Sequence, residues 1–393
     1  MSDPFGLPFG MDPEALRDAP LFRELQRVMA AGAGGPVNWE LARQVAVASA
    51  VEAGADPEPT EEDRRRLEEA VRVAELQVSA FSGLEMPAEM RKVEAVRRAE
   101  WVNANVASLK TLLEPAASRM SEALSRAMRE QLPEDAGPMA GLLAQLGPLL
   151  QGTQVGQVLG LLAQHVLGQY DIAVPREGTA TLRFVVPNLA AFERDWSLDP
   201  TEFRTLIAVH EVTHRAEFAR PWVRPHFVGL VDDFLSTLTI DVTAIQERFA
   251  ALDPADPEAL QRALGGEDEG ALFGTVLDDE QRLKLARVQA FMAAAEGYGD
   301  HVMHAIGASL LGTYPRITEA LRRYREGEQG DPVFERLLGI DMKKEQYALG
   351  RRFCDTVAER SDEATLARMW DTAEAMPSLP ELAEPTLWLS RTV

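Results

Sequence analysis

The sequence predicts a mainly α protein with a small β element, and three observations carry that prediction. Apolar residues recur at 3.6-residue spacing through most of the chain, with arginine and glutamate on the intervening positions. Helix-start signals are frequent: Asn38, Thr60 with Asp63, and Asp199 ahead of Pro200 each precede such a run. Strand signals are scarce. The best is Thr179 to Pro187, which is β-branched and partly alternating.

The chain has 393 residues, 46% of them hydrophobic, which is ample material for a core. We expect an irregular arm over 1–20, rich in proline, glycine and phenylalanine, then an N-terminal helical lobe over 21–135. A second region, 136–393, is expected to be one compact unit. A net charge of −22 argues against nucleic acid and anionic membrane surfaces as partners, since both reward lysine and arginine. The single cysteine, Cys354, excludes an internal disulfide and fits a reducing compartment. With no basic and apolar leader at the start, the expected location is cytoplasmic.

Taken in order, Asn38 predicts a helix from Trp39 to about Ala53, and Thr60 with Asp63 one reaching Ala80. Another is expected from near Pro87 to Leu109, with Pro115 ending or kinking it. From Gly137 to Tyr170 there is no formally charged residue. Pro148, His165 and the glutamines in this stretch argue for two buried helices around a turn rather than a membrane span. Gly152, Gly156 and Gly160 share one helical face, which suits close packing against a neighbouring helix. The strand at 179–187 could serve as an edge for an extended peptide or equally as a plain structural hairpin strand. Asp253 to Glu280 reads as an acidic surface insertion. Further helices are expected over about Asp279–Leu311 and from Pro332 through Cys354.

The chemistry centres on His210-Glu211-Val212-Thr213-His214. Residues four apart share a helix face, so both imidazoles can grip one metal ion, with Glu211 placed beside a metal-bound water. By chance alone this motif arises in roughly one such chain in a hundred. Asp199 as N-cap, Pro200 at the first position and Glu202 at the third start the helix. Phe203, Leu206, Ile207, His210 and His214 then fall on an inward face.

A catalytic zinc needs a third protein ligand and an open position. The run from Gln289 to Ala295 is almost wholly apolar, and Glu296 follows it. A carboxylate at the edge of such a helix calls for a cationic partner. Glu296 is therefore the expected third ligand. Asp300, one turn on, is expected to accept from the far ring nitrogen of a liganding histidine. His301 and His304 are rivals, but they point about 140° and 80° away from Glu296 around an ideal helix. A dinuclear carboxylate site would need a second Glu-x-x-His step besides Glu211–His214, and the sequence has none. Phosphate-loop, dinucleotide and serine-elbow motifs are also lacking.

His-Glu-x-x-His with Glu-x-x-x-Asp far downstream is the layout of the gluzincin peptidases. More widely, the chain resembles a zincin-like metallopeptidase family of actinobacteria and other bacteria. The likeness rests on the Asp3–Gly10 start, Pro36–Trp39, Gln154–Gly160, Val166–Asp171, His210–Phe218, Glu296-Gly297, His301–Met303 and Leu337–Tyr347. It implies a zincin core in a largely helical fold and a zinc-dependent hydrolase. Many family members have the leading histidine replaced, whereas both are present here. Arg215 departs from the general zincin pattern, which usually has an uncharged residue there.

The expected function is that of a zinc metallopeptidase: one Zn²⁺ on His210, His214 and Glu296, with Glu211 as general base and a peptide or protein as substrate. Tyr298, His301, Tyr314, Tyr347 and His226 are candidate oxyanion donors. The alternative is an inactive zincin-like scaffold holding a structural zinc.

Overall fold

The computed structural model describes residues 35–52, 54–87, 91–131, 137–170, 174–175, 181–237, 278–326 and 344–392. The arm at 1–20 and the acidic stretch up to 277 lie outside the described residues.

Local signals account for the first helices. Asn38 Oδ1 accepts the Leu41 N–H at 2.9 Å, and α1 runs Trp39–Glu52. Thr60 and Asp63 form the expected capping box of α2, Glu61–Ser82, which ends at Gly83 with φ 67°. That left-handed turn suits glycine, which carries no Cβ to clash.

The chain then departs from expectation. In place of a helix from Pro87, residues Lys92–Val96 form strand β1, and α3 begins only at Arg98. Lysine, glutamate and alanine favour helix, and five residues of alternation are too few to outweigh them in sequence. Tertiary pairing decides the matter. β1 lies parallel to β2, Thr181–Val185, in the register Lys92↔Thr181 to Val96↔Val185. Arg183 joins Glu94 across the pair at 2.9 Å. The expected strand at 179–187 is therefore real but shorter, since Val186 already starts α5, Val186–Asp195.

α3 continues through Pro115 to Gln131, so the proline does not end it. Beyond the proline, Arg119 reaches Asp232 at 3.0 Å. Likewise Gly137–His165 is one helix, α4, with Pro148 inside it, not two helices around a turn. The glycine face explains its packing. A Cβ on Gly152 would lie 2.6 Å from the carbonyl oxygen of Asn38, which caps α1, and one on Gly156 2.6 Å from that of Ala42 in α1. Such close helix–helix contact offsets a proline cost of roughly 3 kcal/mol. Among the described residues, no helix is long and apolar enough to cross a membrane.

The central helices are α6, Pro200–Phe218, and α8, Asp279–Leu310. α6 packs between α2 and α8, and α7, Val223–Thr237, also lies on α8. α9, Tyr314–Glu326, follows α8 closely, and α10, Lys344–Arg360, crosses it. That crossing needs two glycines: a Cβ on Gly297 would run into the Gly350 backbone, and one on Gly350 into the Ala293 carbonyl. Cys354 is fully buried within α10, and burial pushes its thiol pKa well up. Short helices α11, Glu363–Ala367, α12, Leu379–Ala383, and α13, Pro385–Thr392, close the chain.

Candidate metal centre

Helix α6 starts as its sequence predicts, with Asp199 accepting from Glu202 N–H at 2.9 Å and Pro200 in the first turn. Glu202 in turn accepts from Gly312 and Thr313 N–H, which ties the start of α6 to the α8–α9 turn. Salt links hold the outer side of α6 to its neighbours. Arg204 pairs with Glu193 of α5 and Asp63 of α2, both at 2.7 Å. Arg215 reaches Glu75 of α2, also at 2.7 Å. Arg215 thus meets a carboxylate of α2.

The inward side of α6 carries His210, Glu211 and His214, all buried. The two imidazoles stand nearly perpendicular, with ring centroids 4.5 Å apart. Glu296 comes to them from α8. One ligand atom from each of His210, His214 and Glu296 lies within 4.8 Å of the other two. The expected ligand set therefore converges.

This donor set fits a zinc ion. Two imidazoles and a carboxylate are a known catalytic zinc ligation. His214 Nε2 is buried and has no hydrogen-bond partner among the described residues. Gly299, between Glu296 and Asp300 on α8, faces the same place. A Cβ there would sit 3.1 Å from His214 Nε2 and 3.8 Å from His210 Nδ1. Burial pushes the His214 pKa down to about 3, against the opposing pull of the Asp300 charge. The ring is neutral at ordinary pH, as a metal ligand must be.

The far nitrogen of His214, Nδ1, lies 2.6 Å from Glu217 Oε2. Glu217 stands three residues on along the same helix, so it reaches the ring. Asp300 is close enough to act on His214 through its charge, and its carbonyl accepts from Arg351 at 3.3 Å. Glu217 is completely buried, and burial raises its pKa well above the usual carboxylate range.

Glu211 is held from the other side by the segment after α4. Tyr170 N–H donates to Glu211 Oε2 at 2.8 Å, and a Cβ on Gly168 would run into the Glu211 carboxyl group. The segment is itself pinned. Val185 N–H donates to Leu167 O at 2.9 Å, Trp101 Nε1–H to Gly168 O at 3.2 Å, and Asn188 Nδ2–H to Val166 O at 2.6 Å. Phe184 of β2 bridges Gly168 in antiparallel fashion. β2 is thus flanked on both sides, by β1 and by this segment, and is not the open edge its sequence implied.

The rival ligands point elsewhere. His301 Nδ1 lies 2.6 Å from Asp355 and its Nε2 3.1 Å from Glu363, so α10 and α11 occupy both nitrogens. His304 is exposed, with Nδ1 2.8 Å from the Tyr314 hydroxyl. Neither belongs to the converging group. Tyr298 is buried edge-on against Trp370, and burial, with the nearby Glu217, raises its pKa well above its ordinary value. His226 packs edge-on against Trp222 and at a tilt against Phe291. The side chain of Tyr347 lies outside the described residues.

The model of the zincin-like metallopeptidase family matches residues 37–389, nearly the whole chain. The chain belongs to the zincin-like metallopeptidases. A crystal structure described as "a putative hydrolase with a novel fold", from Chloroflexus aurantiacus, resembles this zincin at 28% identity and a TM-score of 0.65. The likeness covers 90% of this chain and 98% of that one. No match is found among curated proteins. Sequence reading missed Glu217, Gly299, Gly168 and the Tyr170 amide. Of these only Gly299 left a signal: a glycine inside a long helix costs about 1 kcal/mol against alanine, which marks close approach.

Proposed function

We propose that this zincin is a zinc-dependent peptidase, with His210, His214 and Glu296 holding the ion and Glu211 as general base. The observation that carries the reading is the convergence of these three donors from α6 and α8 to within 4.8 Å, with Glu211 next in sequence to His210. When bound, zinc supplies a Lewis acid for a peptide carbonyl and lowers the pKa of a coordinated water. Glu211 takes the proton of the attacking water and passes it to the leaving amine. The Tyr170 N–H holds the Glu211 carboxylate in one orientation through both transfers. His210 and His214 present their ring nitrogens from successive turns of one helix, which fixes their spacing.

Peptide cleavage profiling tests this reading. The wild-type chain should cleave members of a peptide library, and Glu211→Gln should cleave none while keeping its zinc. Equal cleavage by both proteins would overturn it.

The full burial of Glu211 favours a second reading: a zincin scaffold that holds zinc structurally. On that reading neither protein cleaves the library, although both bind zinc.

A further inference from the structure

We infer that Glu217 is a positioning residue of the metal site, one that fixes the tautomer and orientation of His214 so that Nε2 faces the ion. The inference rests on reading His210, His214 and Glu296 as the zinc ligands, and it concerns a residue outside that set. Glu217 Oε2 lies 2.6 Å from His214 Nδ1, and both side chains are fully buried. A histidine that donates Nδ1–H to a carboxylate has its lone pair on Nε2, the atom that faces Gly299 and lacks a hydrogen-bond partner among the described residues. Each ring nitrogen then has one task.

A purely structural carboxylate would be placed differently. Removing a carboxylate from water is costly unless cations or several donors meet it. Among the described residues, Glu217 has no arginine or lysine partner, and its Oε1 has no hydrogen-bond partner. The neighbouring basic residue, Arg215, reaches Glu75 of α2. The acidic groups near Glu217, the Tyr298 hydroxyl and the Cys354 thiol, offer it no positive charge. A metal ion on the other nitrogen of His214 is the counter-charge that gives this carboxylate a reason to be there. The link runs within one helix, from residue 214 to residue 217, and does not depend on α8.

Zinc affinity measured on the full chain, by competition with a chelating dye, tests the inference. Glu217→Met and Glu217→Ala should bind zinc about ten- to a hundredfold more weakly than wild type. Glu217→Gln should lose less, because its amide oxygen still accepts from Nδ1–H. Metal-free Glu217→Met should melt no lower than wild type, since an apolar side chain suits the buried site. The visible absorption band of the cobalt-substituted protein should shift in Glu217→Gln, a change that a residue merely packing the helix would not cause. Zinc on the wild type with unaltered affinity and cobalt spectrum in the variants overturns the inference and leaves the zinc site standing. A wild type that binds no zinc overturns both.

Discussion

The amide of Tyr170 donates to Glu211 Oε2 at 2.8 Å, which joins the strand-side segment after α4 to the motif helix. One residue pair thereby links the small sheet to the chemistry. The segment carries Gly168 against the same carboxyl group, so its backbone shape determines where Glu211 can sit. Gly168→Ala should displace the Glu211 carboxylate and abolish hydrolysis while leaving zinc bound. Metal content and cleavage rate, measured on one preparation, check this; an active Gly168→Ala protein contradicts it. The overpacking should also lower stability by about 1–3 kcal/mol.

Two glycines two residues apart on α8 should behave differently. Gly299→Ala places a methyl group 3.1 Å from His214 Nε2 and should weaken zinc binding. The metal-free protein should not suffer, because alanine is favoured over glycine in a helix by about 1 kcal/mol. Gly297→Ala meets the Gly350 backbone instead and should destabilise the α8–α10 crossing. Thermal melting with and without zinc separates the two effects. Equal behaviour of the two variants would refute this division of roles.

His301 makes stability depend on pH. Burial pulls its pKa down, but the hydrogen bonds to Glu363 and Asp355, with their charges, outweigh burial and hold it above the ordinary 6.5. A group raised on folding stabilises fully below its unfolded pKa, and the contribution is lost as pH rises through the folded value. Melting temperatures from pH 6 upward should therefore fall more for wild type than for His301→Gln. Parallel curves would remove His301 from the account. Arg351 also pairs with Asp355, at 2.9 Å.

The Arg204 link between α5, α2 and α6 is a buried ion pair, and breaking one side should be costly. Arg204→Ala leaves Glu193 buried without its partner, at a cost of about 3–5 kcal/mol. The double variant Arg204→Met, Glu193→Leu should recover most of it. Urea midpoints measure both. A single variant as stable as wild type would count against the ion pair.

Much of the site was legible because it lies on single helices. The cap at Asp199, the inward face of α6 and the carboxylate that follows the apolar run of α8 are periodic features of local sequence. Asp300 was a reasonable partner for a histidine by the same periodicity. Glu217, which meets His214 Nδ1, was not legible, because a glutamate there looks like any solvated charge until its burial is known. The Tyr170–Glu211 bond has no sequence signal, since a main-chain amide is present at every non-proline residue. β1 was hidden by helix-favouring residues, and α3 and α4 pass through prolines that local rules place at helix ends. In each case tertiary packing outweighed a preference worth only a few kcal/mol at most.

Metal analysis of protein purified without chelator tests the central claim most directly. Wild type and Glu211→Gln should each carry one zinc per chain, while His210→Ala and Glu296→Ala, confirmed as folded, should carry less than about a tenth of that. Wild-type protein without zinc, or Glu296→Ala with a full zinc complement, would contradict the assignment of His210, His214 and Glu296 as its ligands.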